Sequence, residues 1–154
     1  MPYAEALSAG PLVLVVDDEL TPRSIVCRIG RALGYQVRGF RTGRDVLRWL
    51  RQHPGEARLV LADLALPRMD GGELAERVLD LDPRVHVVLM VADDALDLLA
   101  GYQDLPRLRR PVSFDALANV LEDLLGRPAR SAAYPPTMGP PRWRTSGQYQ
   151  REAR

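Results

Sequence analysis

This sequence contains no lysine. All 21 of its basic residues are arginine, so any acid that needs a positive partner must find a guanidinium, which is no equivalent of a compact ammonium. It has one cysteine, Cys27, which excludes an internal disulfide and agrees with a reducing compartment. Set among Ile25, Val26 and Ile29, that cysteine reads as a small buried hydrophobe. No stretch approaches the ~18 consecutive apolar residues of a membrane span, and the start, Met1 to Glu5, lacks the basic flank and apolar run of a leader. A soluble cytoplasmic chain with no membrane partner is expected. Ser and Thr are missing altogether between Val85 and Val112.

What is present fits one small domain. A chain of 154 residues, 46% of them hydrophobic, can bury a single core of ordinary size. The net charge of +1 hides an uneven distribution: residues 127–154 hold six Arg against one acid, Glu152, about +5, which leaves the rest about −4. The folded part therefore offers no basic face to nucleic acid. The tail, with five prolines and no apolar periodicity, reads as disordered, and its 28 residues are too few for a DNA-binding output domain. Residues 1–10 read as an N-terminal extension and 11–126 as the domain.

Within 11–126 the pattern alternates. Leu12–Val16 is a first strand. Thr21-Pro22 reads as an N-cap with proline at the first helical position, opening a helix through Ile25, Val26, Ile29 and Leu33. Gln36–Phe40 is a second strand, and Thr42 caps a helix carrying Val46, Leu47, Trp49 and Leu50. The third strand is Leu59–Ala62; a loop then leads to a helix through Leu74, Val78 and Leu81 that Asp82-Pro83 closes. Val85–Val91 is a fourth strand, Asp93–Leu99 allows about two helical turns, Leu105–Leu108 is a weak fifth strand, and Ser113 caps a last helix. The order βαβαβαβαβα predicts an α/β fold, a doubly wound parallel sheet with helices on both faces. In the flavodoxin-like order 2-1-3-4-5, the ligand crevice lies between the carboxyl ends of strands one and three.

Those two strands are the ones that end in acid. Asp17-Asp18 closes the run Leu12 to Val16, and Asp63 closes Leu59 to Ala62. If the strands are neighbours, three carboxylates converge, and like charges that close need a cation or a proton to coexist. Mg²⁺ suits such a set, being a hard ion that takes oxygen ligands and keeps positions open for phosphate. The histidines have no ligand spacing to each other or to Cys27, so His53 and His86 read as surface and core residues. Trp49 reads as packing, and Asp93-Asp94 as the acidic start of a short helix.

The run Val13-Leu-Val-Val-Asp-Asp-Glu19, the loop Asp63-Leu-Ala-Leu-Pro-Arg-Met-Asp-Gly71, and Arg110-Pro111 in place of a Lys-Pro pair resemble a response regulator receiver domain of two-component signalling. The resemblance covers roughly residues 11–126 and is most specific in the loop, where Leu66, Pro67, Asp70 and Gly71 follow the acid-ended strand; Pro67 stiffens the exit and Gly71-Gly72 permits a tight start to the next helix. It implies that Asp63 accepts a phosphoryl group from a phosphohistidine on a sensor histidine kinase or a histidine phosphotransfer protein. It also implies that Asp18, Asp63 and the backbone carbonyl of Ala65 ligate Mg²⁺, with Asp17 orienting a water of that ion.

Three positions depart from the family's pattern. Ala92 stands where a Thr or Ser hydroxyl meets the phosphoryl oxygen, Arg110 where a lysine pairs with the acids, and Arg107 where an aromatic residue swings inward. The acid pocket is thus complete while the usual relay is missing. The chain reads as a stand-alone receiver domain in a phosphorelay, with an unknown downstream protein. The alternative is a phosphate-independent pseudo-receiver that acts as an interaction module. An aspartyl phosphatase would, by its own resemblance, need a second acid two residues after the nucleophile; Ala65 stands there, so no enzyme is expected.

Overall fold

The computed structural model describes residues 10–128 and 149–150. Five strands, β1 (Leu12–Val16), β2 (Gln36–Phe40), β3 (Ala57–Asp63), β4 (His86–Val91) and β5 (Arg107–Arg109), run parallel in the order 2-1-3-4-5. Four α-helices cover the sheet: α1 (Leu20–Ala32), α2 (Gly43–Gln52), α3 (Gly71–Leu81) and α4 (Phe114–Leu125). A 3₁₀ segment, Asp93–Leu99, connects β4 to β5 on the way to α4. The predicted flavodoxin-like α/β fold is the one observed.

Alternation along the strands divides the core in two. Leu14, Val16, Val60, Ala62, Leu89 and Val91 face α2 and α3, while Val13, Val15, Leu59, Leu61, Val88 and Met90 face α1 and α4. Both faces are buried, which is why the strands read as unbroken apolar runs and not as alternating ones. Caps at Thr42, Asp70 and Ser113 accept hydrogen bonds from the backbone N–H groups of Asp45, Glu73 and Ala116 at 3.1, 2.8 and 3.1 Å. Each satisfies one donor that a helix start leaves open.

The start of α1 corrects the sequence reading. Thr21 is not the N-cap; the helix begins at Leu20 with Glu19 as N-cap, whose side chain makes no cap bond. The carboxylate of Asp17 instead accepts from the Glu19 N–H at 3.0 Å, so the chain closes one residue pair earlier than Thr21-Pro22 suggests. Pro22 is tolerated inside the first turn because its missing N–H would have had no helical partner. The fifth strand is also shifted: it comprises Arg107–Arg109, not Leu105–Leu108, because pairing with Leu89, Met90 and Val91 fixes which residues ladder, and only Leu108 of the three is buried.

Most of the predicted extension and tail lies outside the described residues. Besides Gly10, Arg127 and Pro128, the described part is Tyr149–Gln150, a two-residue strand β6 antiparallel to Leu108 and Arg107. The outer edge of β5 presents backbone groups that this short extended segment meets; the rest of the expected disordered tail is not among the described residues. Among the described residues, no helix is long and apolar enough to cross a membrane.

Candidate functional site

Strand register brings the acids together. Val16 is paired with Ala62, so the next residues, Asp17 and Asp63, stand side by side at the sheet's carboxyl end, Asp63 as the last residue of β3. Asp17, Asp18 and Asp63 each offer a carboxylate oxygen within 4.8 Å of the others. Asp17 and Asp63 are, with Asn119, the buried polar or charged residues among those described.

A guanidinium lies between them. Arg110, 93 residues from Asp17 in sequence, donates from Nη2 to Asp17 Oδ2 at 2.8 Å and places Nη1 3.0 Å from Asp63 Oδ1. Its position follows from the sheet: the Arg110 N–H donates to the Val91 carbonyl at 2.9 Å, just past the β4–β5 ladder. Asp17 is fixed further by Glu19 N–H on Oδ1 and by Arg23 Nη1, which donates to its backbone carbonyl at 2.7 Å.

Burial pushes the Asp63 carboxyl above its usual range; the Arg110 guanidinium pulls it back, the Asp17 charge raises it again, and the Ala65 N–H, 3.4 Å from Oδ1, lowers it. The Arg110 guanidinium, for its part, is held more firmly protonated: burial works against the charge, but the bond it donates to Asp17 and the Asp63 charge outweigh it.

The loop after Asp63 folds tightly. Leu64 N–H donates to the Met90 carbonyl and Gly71 N–H to the Leu64 carbonyl, both at 2.9 Å, while Met69 N–H reaches Pro67 O at 2.8 Å. Leu66 is buried and Pro67 exposed. Arg68 has φ of +68°, a left-handed conformation unusual for a residue with a Cβ. Gly71 must be glycine: a Cβ there would lie 2.5 Å from the Asp63 carbonyl oxygen.

Ala92 follows β4 and caps the 3₁₀ segment, and Arg107 is half-buried. The neighbour Arg109 forms an exposed two-pronged pair with Asp93, at 2.9 and 3.0 Å. So the acids, the Ala65 N–H and Arg110 come together in one pocket. Two contacts there escape sequence reasoning. Arg23 on the Asp17 carbonyl is one; the other is Tyr102, whose ring lies against Gly72 so closely that a Cβ would sit 2.2 Å from it. An aromatic in a loop beside a Gly-Gly helix start was the only available signal for the second.

The donor set fits a hard divalent cation. Three carboxylates outnumber one guanidinium, every donor is oxygen, and the three carboxylate oxygens lie within 4.8 Å of one another, a cluster small enough to gather around one hard ion. A doubly wound domain with an acidic cluster at its switch point carries that cluster where open α/β sheets bind their ligands.

The comparisons narrow the class of protein. The response regulator receiver domain family matches residues 13–104. The receiver protein CpdR of Brucella abortus is 29% identical over 117 residues, covering 73% of this chain and 95% of its own. The transcriptional regulatory protein ZraR of Salmonella typhimurium is 30% identical over 130 residues, covering 81% of this chain but only 29% of its own length. A receiver domain structure from Clostridium thermocellum superposes with a TM-score of 0.68 at 21% identity, covering 75% of this chain and 94% of the other. The chain belongs to the response regulator receiver domain family, the signalling modules of two-component systems; it spans under a third of ZraR.

Proposed function

We propose that this protein is a phosphoacceptor receiver: Asp63 takes a phosphoryl group from a phosphohistidine on a sensor kinase or a phosphotransfer protein, and the chain passes the change to another protein. The observation that carries the reading is the placement of Asp63 beside Asp17, Asp18 and Arg110 at the carboxyl ends of adjacent strands.

In the step, an Asp63 oxygen attacks phosphorus in line, the P–N bond to the imidazole breaks, and the imidazole takes the electron pair and a proton as it leaves. A carboxylate is a weak nucleophile, so the rate depends on alignment and on neutralising the equatorial oxygens. Arg110 supplies one positive charge and two N–H donors suited to two of those oxygens. Mg²⁺, held by Asp18, Asp63 and the Ala65 carbonyl with Asp17 behind a water, would supply the remaining charge. The Glu19 N–H on Oδ1 orients the Asp17 carboxylate, and Arg23 holds the Asp17 backbone carbonyl.

The acyl phosphate cannot be read through a hydroxyl at Ala92 or an aromatic at Arg107. The contacts left to convey it are those of the 64–72 loop, whose end at Gly72 touches Tyr102. Phosphorylation by a donor such as acetyl phosphate, followed on a Phos-tag gel for the native protein and Asp63→Asn, tests the assignment. A retarded band that Asp63→Asn abolishes is expected. No Asp63-dependent band with small-molecule or kinase donors would leave a phosphate-independent interaction module, the reading that Ala92 favours.

A further inference from the structure

We propose that the outer edge of β5 is a docking surface for an extended peptide segment, and that the chain keeps it closed with its own residues Tyr149 and Gln150. The inference goes beyond the phosphoacceptor reading and does not require it. It starts from the direction of the β5 backbone. On the inner side, the Leu89 N–H donates to the Pro106 carbonyl at 3.0 Å and the Arg110 N–H to the Val91 carbonyl at 2.9 Å. Backbone groups alternate sides along a strand, so with Pro106 and Arg110 turned to β4, Arg107 and Arg109 turn theirs outward.

The short β6 meets only part of that edge. Gln150 stands opposite Arg107 and Tyr149 opposite Leu108, in antiparallel register. Because the Arg107 backbone faces outward, Arg107 and Gln150 are the hydrogen-bonded pair, which exchanges two backbone bonds, and Leu108 and Tyr149 are the close pair without them. The ladder stops short of Arg109. An edge left open in this way is a template for pairing with another chain.

So short a strap holds weakly. Each backbone bond nets a modest gain, set against the entropy of ordering the segment that makes it. A longer extended segment that pairs with Arg109 as well gains bonds the strap lacks, and displaces it. Strand addition of this kind takes its affinity from main-chain bonds. The resident occupant is the chain's own segment; the same segment from a second copy is the competitor that the experiment separates.

The test uses the full, isotope-labelled chain and NMR, for the native protein, Gln150→Ala and Gln150→Pro. In the native protein the Leu108 and Tyr149 Hα atoms should give a cross-strand NOE, and the Arg107 amide should be protected from hydrogen exchange. Proline at 150 removes the N–H that the Arg107 carbonyl accepts, whereas alanine keeps it. Loss of that bond predicts exchange at Arg107 about fivefold faster in Gln150→Pro, with loss of the NOE, and native behaviour in Gln150→Ala. The Arg110 amide, bonded inward to Val91, should stay protected in all three and reports an intact sheet. Titration with a synthetic peptide of residues 145–154 should shift the Arg107 and Arg109 amide signals at lower peptide concentration in Gln150→Pro than in the native protein, whose edge is occupied. An unprotected Arg107 amide in the native protein, or equal protection in Gln150→Pro, would overturn the strap. Equal peptide shifts in the two proteins, or none in either, would overturn the docking surface. Protection that falls on dilution as dimers dissociate, read by light scattering, would assign the strand to a second copy and overturn self-closure.

Discussion

Two adjacent glycines offer the sharpest test of how the acceptor loop is built. Replace Gly71 or Gly72 by alanine: each change adds one methyl at the start of α3, and each improves helix propensity by at most about 1 kcal/mol. At Gly71 the new carbon falls 2.5 Å from the Asp63 carbonyl oxygen, 2.9 Å from Leu64 Cα and 3.0 Å from Asp63 C. All three are backbone, and Leu64 is fully buried and bonded through its N–H to Met90, so nothing yields without moving the end of β3. At Gly72 the obstruction is the Tyr102 ring, 2.2 to 2.5 Å away, a half-exposed side chain that can swing out.

Overpacking costs of about 1–3 kcal/mol place Gly71→Ala at the upper end, and Gly72→Ala at about 1 kcal/mol or less. For a domain of this size the first corresponds to a fall in Tm of roughly 10 °C. Urea melts followed by Trp49 fluorescence measure both. A cycle with Tyr102→Ala then separates the causes: it should rescue Gly72→Ala and leave Gly71→Ala unchanged. Equal losses at the two glycines, or rescue of Gly71→Ala by Tyr102→Ala, would refute this account of the loop.

Two further outcomes are expected. Burial raises the folded-state carboxyl of Asp63, so the folded protein holds this proton more tightly than the unfolded chain, and stability is lost as pH rises through the folded value. In Mg²⁺-free buffer, Asp63→Asn should therefore melt higher than the native protein at neutral pH, with the gap closing toward pH 4, as read by thermal denaturation across pH. Arg68→Gly relieves a left-handed φ of +68° and should raise stability by ~0.5–1 kcal/mol in urea titrations, after the entropy of the added glycine is discounted.

The acids were legible because burial on both faces of a parallel sheet forces unbroken apolar runs, and a run that stops in Asp marks the strand's carboxyl end. Leu12–Val16 states its bounds in composition alone, Leu59–Ala62 marks the middle of a strand that runs Ala57–Asp63, and the doubly wound order then decides that they are neighbours. Local chemistry served equally well at Thr42 and Ser113, where the capping hydroxyl lies three residues from the N–H it accepts from. It failed at Thr21, because the group that closes that turn is the site's own Asp17, engaged for a tertiary reason. It failed again at β5, whose limits are set by pairing with β4 and not by the leucines on either side.

What no local pattern could give is the position of the Arg110 fork, since its partners are 93 and 47 residues away. The sequence says only that a base must come from arginine. The fold adds that β4 and β5 deliver one to the mouth of the pocket, bonded through Val91. Together these turn a departure from the family's pattern into a constraint with consequences. The guanidinium engages both acids at once, Asp17 at 2.8 Å and Asp63 at 3.0 Å. A search for the receiver's output should look along the loop from Asp63 to Gly71, where the close contacts are backbone, and on to the Tyr102 ring against Gly72, before it looks at Ala92 or Arg107.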